Sequence, residues 1–164
     1  MKKISKNIRV RRFKEKDLKA VYELIQNTIN VSYNKVYPGE AIEFFKEFHS
    51  PENILKDAIS GYTVVAERDG EILGTSTLIG NHIQRAFVSP DCQRQGIGGL
   101  IAQELERKAL LKKPASIDLE ASIVSRQFWE SRGYVLQEET CIPVKNGQKL
   151  IYYKMSKEIT GHGM

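Results

Sequence analysis

The sequence predicts a mixed α/β (α+β) domain on a mostly antiparallel central sheet of about seven strands, flanked by helices. Three observations carry that prediction. Short runs with a hydrophobic period of two alternate with longer runs at helical spacing. Asp69-Gly70, Gly80-Asn81 and Asn146-Gly147 are two-residue turn signals between strand-like runs, the kind that joins antiparallel neighbours. The stretch Val88 to Leu100 passes from a strand, through Pro90 and three glycines, into a helix that is followed by another strand, which is the order of a parallel crossover.

Taken in order, residues 8–13 alternate apolar and basic side chains and read as a half-buried strand. Leu18, Val21, Leu24, Ile25, Thr28 and Ile29 recur at helical spacing, so 15–30 is an amphipathic helix with Asp17 in its first turn and Lys14 at an indifferent cap position. A polar-aromatic connector covers 31–37. Pro38 suits the start of a second helix, with Ala41, Phe44, Phe45 and Phe48 as its apolar stripe. Ser50-Pro51 caps and opens a third helix that Gly61 ends. Tyr62 to Arg68, Glu71 to Ile79 and His82 to Val88 are three meander strands. A helix from about 95 to 111 stops at Pro114, a strand spans Ala115 to Glu120, and a helix over about 122–132 ends at Gly133. Strands 134–141 and 149–155 complete the sheet.

A length of 164 residues suits one domain, 1–164, with its core over about 8–155. Such a chain buries roughly two thirds of its unfolded surface, enough for a core without staples. The 41% hydrophobic and 27% charged content is that of a soluble globular protein. No apolar run approaches the ~20 residues of a membrane span. No apolar signal core follows the basic Met1 to Asn7, so a cytoplasmic location and no membrane partner are expected. Cys92 and Cys141 form no CxxC pair and have no His cluster beside them, so no metal site is expected and both read as free thiols. The net charge of +5 gathers between Lys2 and Lys16 and at Lys112-Lys113. No basic helix or aromatic platform accompanies it, so no nucleic-acid partner is expected, and the mild positive charge suits a polyanionic small cofactor.

The chemistry concentrates at Gln93-Arg94-Gln95-Gly96-Ile97-Gly98-Gly99. A helix start leaves its first N–H groups without partners and carries partial positive charge. Glycines let a ligand approach that backbone, and Gln93 and Arg94 add side-chain donors, so the turn is an anion site suited to phosphate.

The element order and two motifs resemble the GCN5-related N-acetyltransferase (GNAT) superfamily. Gln93 to Gly98 is similar to that family's (Arg/Gln)-x-x-Gly-x-(Gly/Ala) acyl-CoA pyrophosphate loop, and Ser125-Arg126-Gln127-Phe128-Trp129-Glu130-Ser131-Arg132-Gly133-Tyr134 is similar to its Ala-x-x-Phe-Tyr-Glu-x-x-Gly-Phe stretch. The resemblance covers roughly residues 8–155. It implies a sheet splayed between its fourth and fifth strands, with acetyl-CoA in the gap as co-substrate. Phe87, Val88, Gln93, Arg94, Gln95, Gly96, Ile97, Gly98, Gly99, Ser122, Phe128 and Trp129 would bind it, and the backbone amide of Ala86 would polarise the thioester carbonyl.

The sequence departs from the family where it has Trp129, since many members carry there the Tyr that protonates the departing thiolate. Indole is not a useful acid. Tyr33, Tyr37, Tyr134 and Cys141 are alternatives that the sequence does not rank. For the base, the family offset from Ala86 falls on His82, and Glu120 at a strand end is a second candidate. The acceptor cleft is expected to be lined by 31–49 and 141–149, with Tyr33, Asn34, Tyr37 and His49 supplying aromatic faces and few acids. That composition suits a small molecule or a peptide N-terminus better than a polyamine. The expectation is an N-acetyltransferase acting on a primary amine. The alternatives are transfer of a longer acyl group and a non-catalytic acyl-CoA-binding regulatory module. A homodimer is compatible with the sequence, but no feature of it shows one.

Overall fold

A computed structural model describes residues 7–159. The basic residues before Asn7, counted above in the N-terminal charge, lie outside the described residues. Seven strands, β1 (Ile8–Arg12), β2 (Tyr62–Arg68), β3 (Glu71–Ile79), β4 (His82–Val88), β5 (Ser116–Ala121), β6 (Val135–Pro143) and β7 (Lys149–Glu158), form one sheet in the order β1-β2-β3-β4-β5-β7-β6. All neighbours are antiparallel except β4 and β5, which run parallel. The expected fold class is therefore the observed one. No helix among the described residues is long and apolar enough to cross a membrane.

The turns set where the meander strands end. Asp69 (φ 53°) and Gly70 (φ 85°) both take the left-handed conformation that a tight hairpin demands. The sheet's period of two divides the core between two faces. Val64 and Ala66 pack with α4 (Ile97–Leu110), whose Ile97, Ile101 and Leu105 are buried. Val65 and Phe87 pack on the opposite face with α1 (Leu18–Ser32), α2 (Gly39–Phe48) and α3 (Pro51–Ser60). Ser50 Oγ accepts from the Asn53 N–H, as a capping serine should.

Several local expectations change. Residues 31–35 are not an open connector: α1 runs through Ser32 and a 3₁₀ turn covers Tyr33–Lys35. In α2 the buried side chains are Ala41 and Ile42, while Phe48 is 48% exposed, so the stripe is rotated from the one the phenylalanines suggested. Lys14 gives no side-chain cap, and Asp17 takes that role by accepting the Lys14 N–H at 2.8 Å and the Arg11 guanidinium at 2.9 and 3.0 Å. The Arg11 hydrogen bonds hold the Asp17 carboxyl below the usual carboxylate range. The helix expected over 122–132 shrinks to α5 (Arg126–Ser131), because the hydroxyls of Ser122 and Ser125 each accept the other residue's N–H at 3.1 Å and build a turn ahead of it.

Candidate active site

The site begins where the sheet comes apart. β4 and β5 pair only at His82 with Asp118 and at Ile83 with Leu119. Beyond Ile83 the strands diverge, and residues 84–88 have no partner strand on the β5 side. A register shift between Thr75 and Thr77 of β3 marks a bulge in β4 at the same place, where Arg85 takes a left-handed φ of 57°. Two cavities open into the gap. One of about 570 Å³ lies between β4, the start of α4 and α5, and one of about 210 Å³ lies between β4, β5 and α2. Tyr33, Ala86, Phe87, Ser125 and Trp129 line both and therefore mark their junction.

The larger cavity ends on the glycine turn. Arg94 (φ 67°) and Gly96 (φ 83°) are left-handed on either side of Gln95, and Gly96 is the N-cap of α4. With no capping side chain and no acid in the first turn, the N–H groups that open the helix stay available to an anion. Gln93 Nε2 donates to the Val88 carbonyl at 2.9 Å and ties the turn to the end of β4. A Cβ on Gly98 would stand 3.2 Å from the Phe128 ring, so this wall has room for backbone only. These features fit a pyrophosphate held by backbone donors, with a pantetheine-like arm running along 86–88.

Of the residues expected to hold the cofactor, ten line this cavity: Phe87, Val88, Gln93, Arg94, Gly96, Ile97, Gly98, Gly99, Phe128 and Trp129. Gln95 does not, and its side chain accepts from Arg68 at 3.5 Å. Ser122 lines the smaller cavity instead, together with Glu120, which forms no hydrogen bond or ion pair among the described residues. His82 lines neither cavity. It sits where β4 and β5 are still paired, and its Nδ1 is bonded to the Asp118 carboxylate. Asn34 is exposed and also lines neither.

The tyrosines separate clearly. The Tyr37 hydroxyl donates to the Ile151 carbonyl at 2.7 Å and accepts the Ile123 N–H at 2.9 Å, which makes it a buried tie. The Tyr134 hydroxyl bonds Glu106 at 2.8 Å, away from both cavities. Cys141 is exposed on the edge strand β6. Tyr33 alone of these residues reaches the junction, where burial pushes its phenol up to about 12.

Sequence reasoning missed the polar group at the back of the smaller cavity. Arg85 is 7% exposed and lines it. Its Nε donates to His49 Nδ1 at 3.0 Å and its Nη1 to Asp57 at 2.7 Å, while Gln84 donates to the same Asp57 oxygen at 2.9 Å. Burial, and then the Arg85 charge, push His49 down to about 3, so His49 is neutral and its Nδ1 is the acceptor. A signal was present in the strand. Ile83, Arg85 and Phe87 are the alternate buried positions of the strand, so an arginine stands at a position whose neighbours are core residues.

A split mixed sheet, with a helix N-terminus at the mouth of the split and a second cavity meeting the first, defines an acyl-CoA transferase architecture. The chain belongs to the GNAT acetyltransferase family: the family model described as an acetyltransferase (GNAT) domain matches residues 33–162. Acetyl-CoA is accordingly its co-substrate. Among solved structures, a GCN5-related N-acetyltransferase from Rhodopseudomonas palustris superposes with a TM-score of 0.84 at 22% identity, covering 92% of this chain and 95% of that one. The PaiA N-acetyltransferase of Thermoplasma acidophilum, solved in complex with coenzyme A, gives 0.75 at 20% identity, covering 93% and 99%. YncA of Salmonella typhimurium, solved with its cofactor acetyl-CoA, gives 0.66 at 14% identity, covering 96% and 97%. At these identities the likeness speaks to fold. No curated protein matches the chain by sequence.

Proposed function

We propose that the chain transfers an acetyl group from acetyl-CoA directly to a primary amine of a small molecule or peptide. The observation that carries this reading is the meeting of the two cavities at Tyr33, Ala86, Phe87, Ser125 and Trp129. One cavity ends on the glycine turn and the other is lined by side chains of α2, β4 and β5, so donor and acceptor would reach the unpaired stretch of β4 from different cavities.

In this reading most of the acceleration comes from holding the amine against the thioester. The Ala86 amide, in a stretch without a β5 partner, is the donor for the developing oxyanion. Glu120 takes the proton that the acceptor ammonium must lose before its nitrogen can attack. As the new C–N bond forms and the C–S bond breaks, the electron pair of the latter stays on sulfur, the Tyr33 hydroxyl donates to that thiolate, and the second proton shed by the nitrogen passes to solvent. A thiol of pKa about 8.5 needs stabilising more than full protonation, which suits a phenol that keeps its proton at neutral pH. Trp129 forms the buried wall behind. The two thiols and the absence of a membrane-crossing helix among the described residues are compatible with work in a reducing cytoplasm.

Calorimetry with acetyl-CoA, followed by CoA-thiol release across a panel of primary amines, tests the reading. Saturable binding and amine-dependent release are expected. Binding without release from any amine would leave a sensor of acyl-CoA rather than an enzyme.

A further inference from the structure

The acceptor cavity contains more chemistry than amine transfer requires. Amine transfer needs a route for a proton and a wall for the substrate. Arg85 supplies neither, yet it is buried to 7% exposure within the cavity lining. A buried guanidinium is tolerated only when its charge and its donors are met. Two of its nitrogens are met, Nε by His49 and Nη1 by Asp57. The third, Nη2, has no hydrogen-bond partner among the described residues. Asp57 balances the charge that makes burial tolerable, and the His49 ring adds none. Two of the three guanidinium nitrogens are therefore engaged and Nη2 is left for a ligand.

The rest of the cavity says what kind of molecule carries that ligand group. Tyr33, Phe44, Phe45 and Phe48 form an aromatic wall, with the Phe44 and Phe48 rings stacked 6.1 Å apart and Phe45 set edge-on to Tyr33 at 4.9 Å. Phe48 is half exposed, a large apolar face left in water at the cavity. Glu120 lines another part of the same cavity with its carboxylate unpaired among the described residues. The volume of about 210 Å³ is below the roughly 300–1,000 Å³ of clefts for drug-sized ligands, so the acceptor is small.

We propose that the acceptor is a zwitterionic amino acid with an apolar side chain, its carboxylate held by Arg85 Nη2, its ammonium drawn to Glu120 and its side chain laid on the aromatic wall. The guanidinium recognises a carboxylate by charge and direction together. It also works against polyamines, because a second cation would be placed beside the buried guanidinium. A peptide N-terminus has the amine but an uncharged amide where the carboxylate would be. The inference rests on the acetyl-transfer reading for the amine's fate, while the recognition stands on the cavity alone.

The test compares matched compounds. L-phenylalanine, L-phenylalaninamide and phenethylamine share a body and an amine and differ in the carboxylate. L-leucine, L-leucinamide and isoamylamine repeat the series with a smaller body. Calorimetry measures the affinity of each for the protein with and without acetyl-CoA, and thiol release measures kcat/KM. In at least one series the amino acid should exceed both partners by about tenfold or more, because a buried donor without its anion is left unmet. The ratio should fall toward one in Arg85→Met combined with Asp57→Asn, a pair that removes both charges together and so avoids stranding either. Arg85→Lys keeps the charge and should retain part of the preference, with circular dichroism reporting the fold of each variant. Equal or better binding of the amides or the decarboxylated amines overturns the proposal, as does failure of both amino acids to bind. Thiol release from some other amine would then leave the acetyl-transfer reading standing alone. Absence of acetyl-CoA binding, with the amino-acid preference intact, would instead remove the transfer reading and keep the recognition site.

Discussion

His49 makes the acid stability of the fold a measurable quantity. Its ring is buried, edge-on to Phe87 at 5.1 Å, and its Nδ1 accepts from a fixed cation. Protonation would put two positive charges side by side out of water. The folded-state value of about 3 compares with about 6.5 in an unfolded chain. Between those values the unfolded chain binds the extra proton and the folded one does not, so this contribution to stability is complete above about pH 6.5 and is lost as pH falls. Going from about pH 7 to about pH 4.5, linkage at ~1.4 kcal/mol per pH unit removes about 2 to 3 kcal/mol from this one group. His49→Asn places an acceptor oxygen near the Nδ1 position and cannot titrate. Urea denaturation of both proteins at the two pH values measures the effect. The wild type should lose about 2 to 3 kcal/mol more than the variant on acidification, because carboxylates such as Asp17 and Glu104 titrate alike in both and cancel. Parallel losses in the two proteins would show that His49 is not held neutral by its burial beside Arg85, and the hydrogen bond from Arg85 to a neutral ring would fall with it.

Three further outcomes are expected. Gly96→Ala forces a Cβ into the left-handed conformation at φ 83°, which should cost roughly 1–2 kcal/mol in chemical denaturation and weaken acetyl-CoA binding in calorimetry. Asp17→Asn removes the carboxylate that Arg11 and the Lys14 N–H share. It should lower stability by about 1–3 kcal/mol at neutral pH, a difference that shrinks as acid protonates the wild-type carboxyl, whose folded value is held down, in a denaturation series below about pH 4. Tyr33→Phe should lower kcat by about tenfold with little change in the KM for acetyl-CoA, since it removes one donor to the leaving sulfur. An unchanged kcat would hand that task to water.

How much was legible in the sequence follows from how local each signal is. Strands 62–68, 71–79 and 82–88 end where the pattern placed them, because Asp69-Gly70 and Gly80-Asn81 set their limits within a few residues. The glycine turn into α4 was equally legible, since Gly96 and the opening of the helix are adjacent in the chain. The acceptor side was not. Its polar group joins His49 from the end of α2, Asp57 from α3 and Arg85 from a bulge in β4. No short window contains all three. Tyr37 misled for a related reason: a tyrosine beside a cleft-forming segment looks like a ligand until its hydroxyl is seen tied to Ile123 and Ile151. The pair of serines at 122 and 125 shortened α5 through side-chain bonds that helical periodicity does not register.

The two-residue contact between β4 and β5 has a consequence for the whole molecule. Hydrogen bonding splits the sheet into two plates, β1 to β4 and β5 to β7, joined by a short seam. A pantetheine arm laid along 86–88 would act as a borrowed strand that stitches the plates together. The donor molecule is then part of the architecture as well as a reagent. Amides at the seam should exchange with solvent faster than those at the centres of the plates, and slow down when the stitch is in place. Each turnover that releases CoA would briefly loosen the enzyme's own frame.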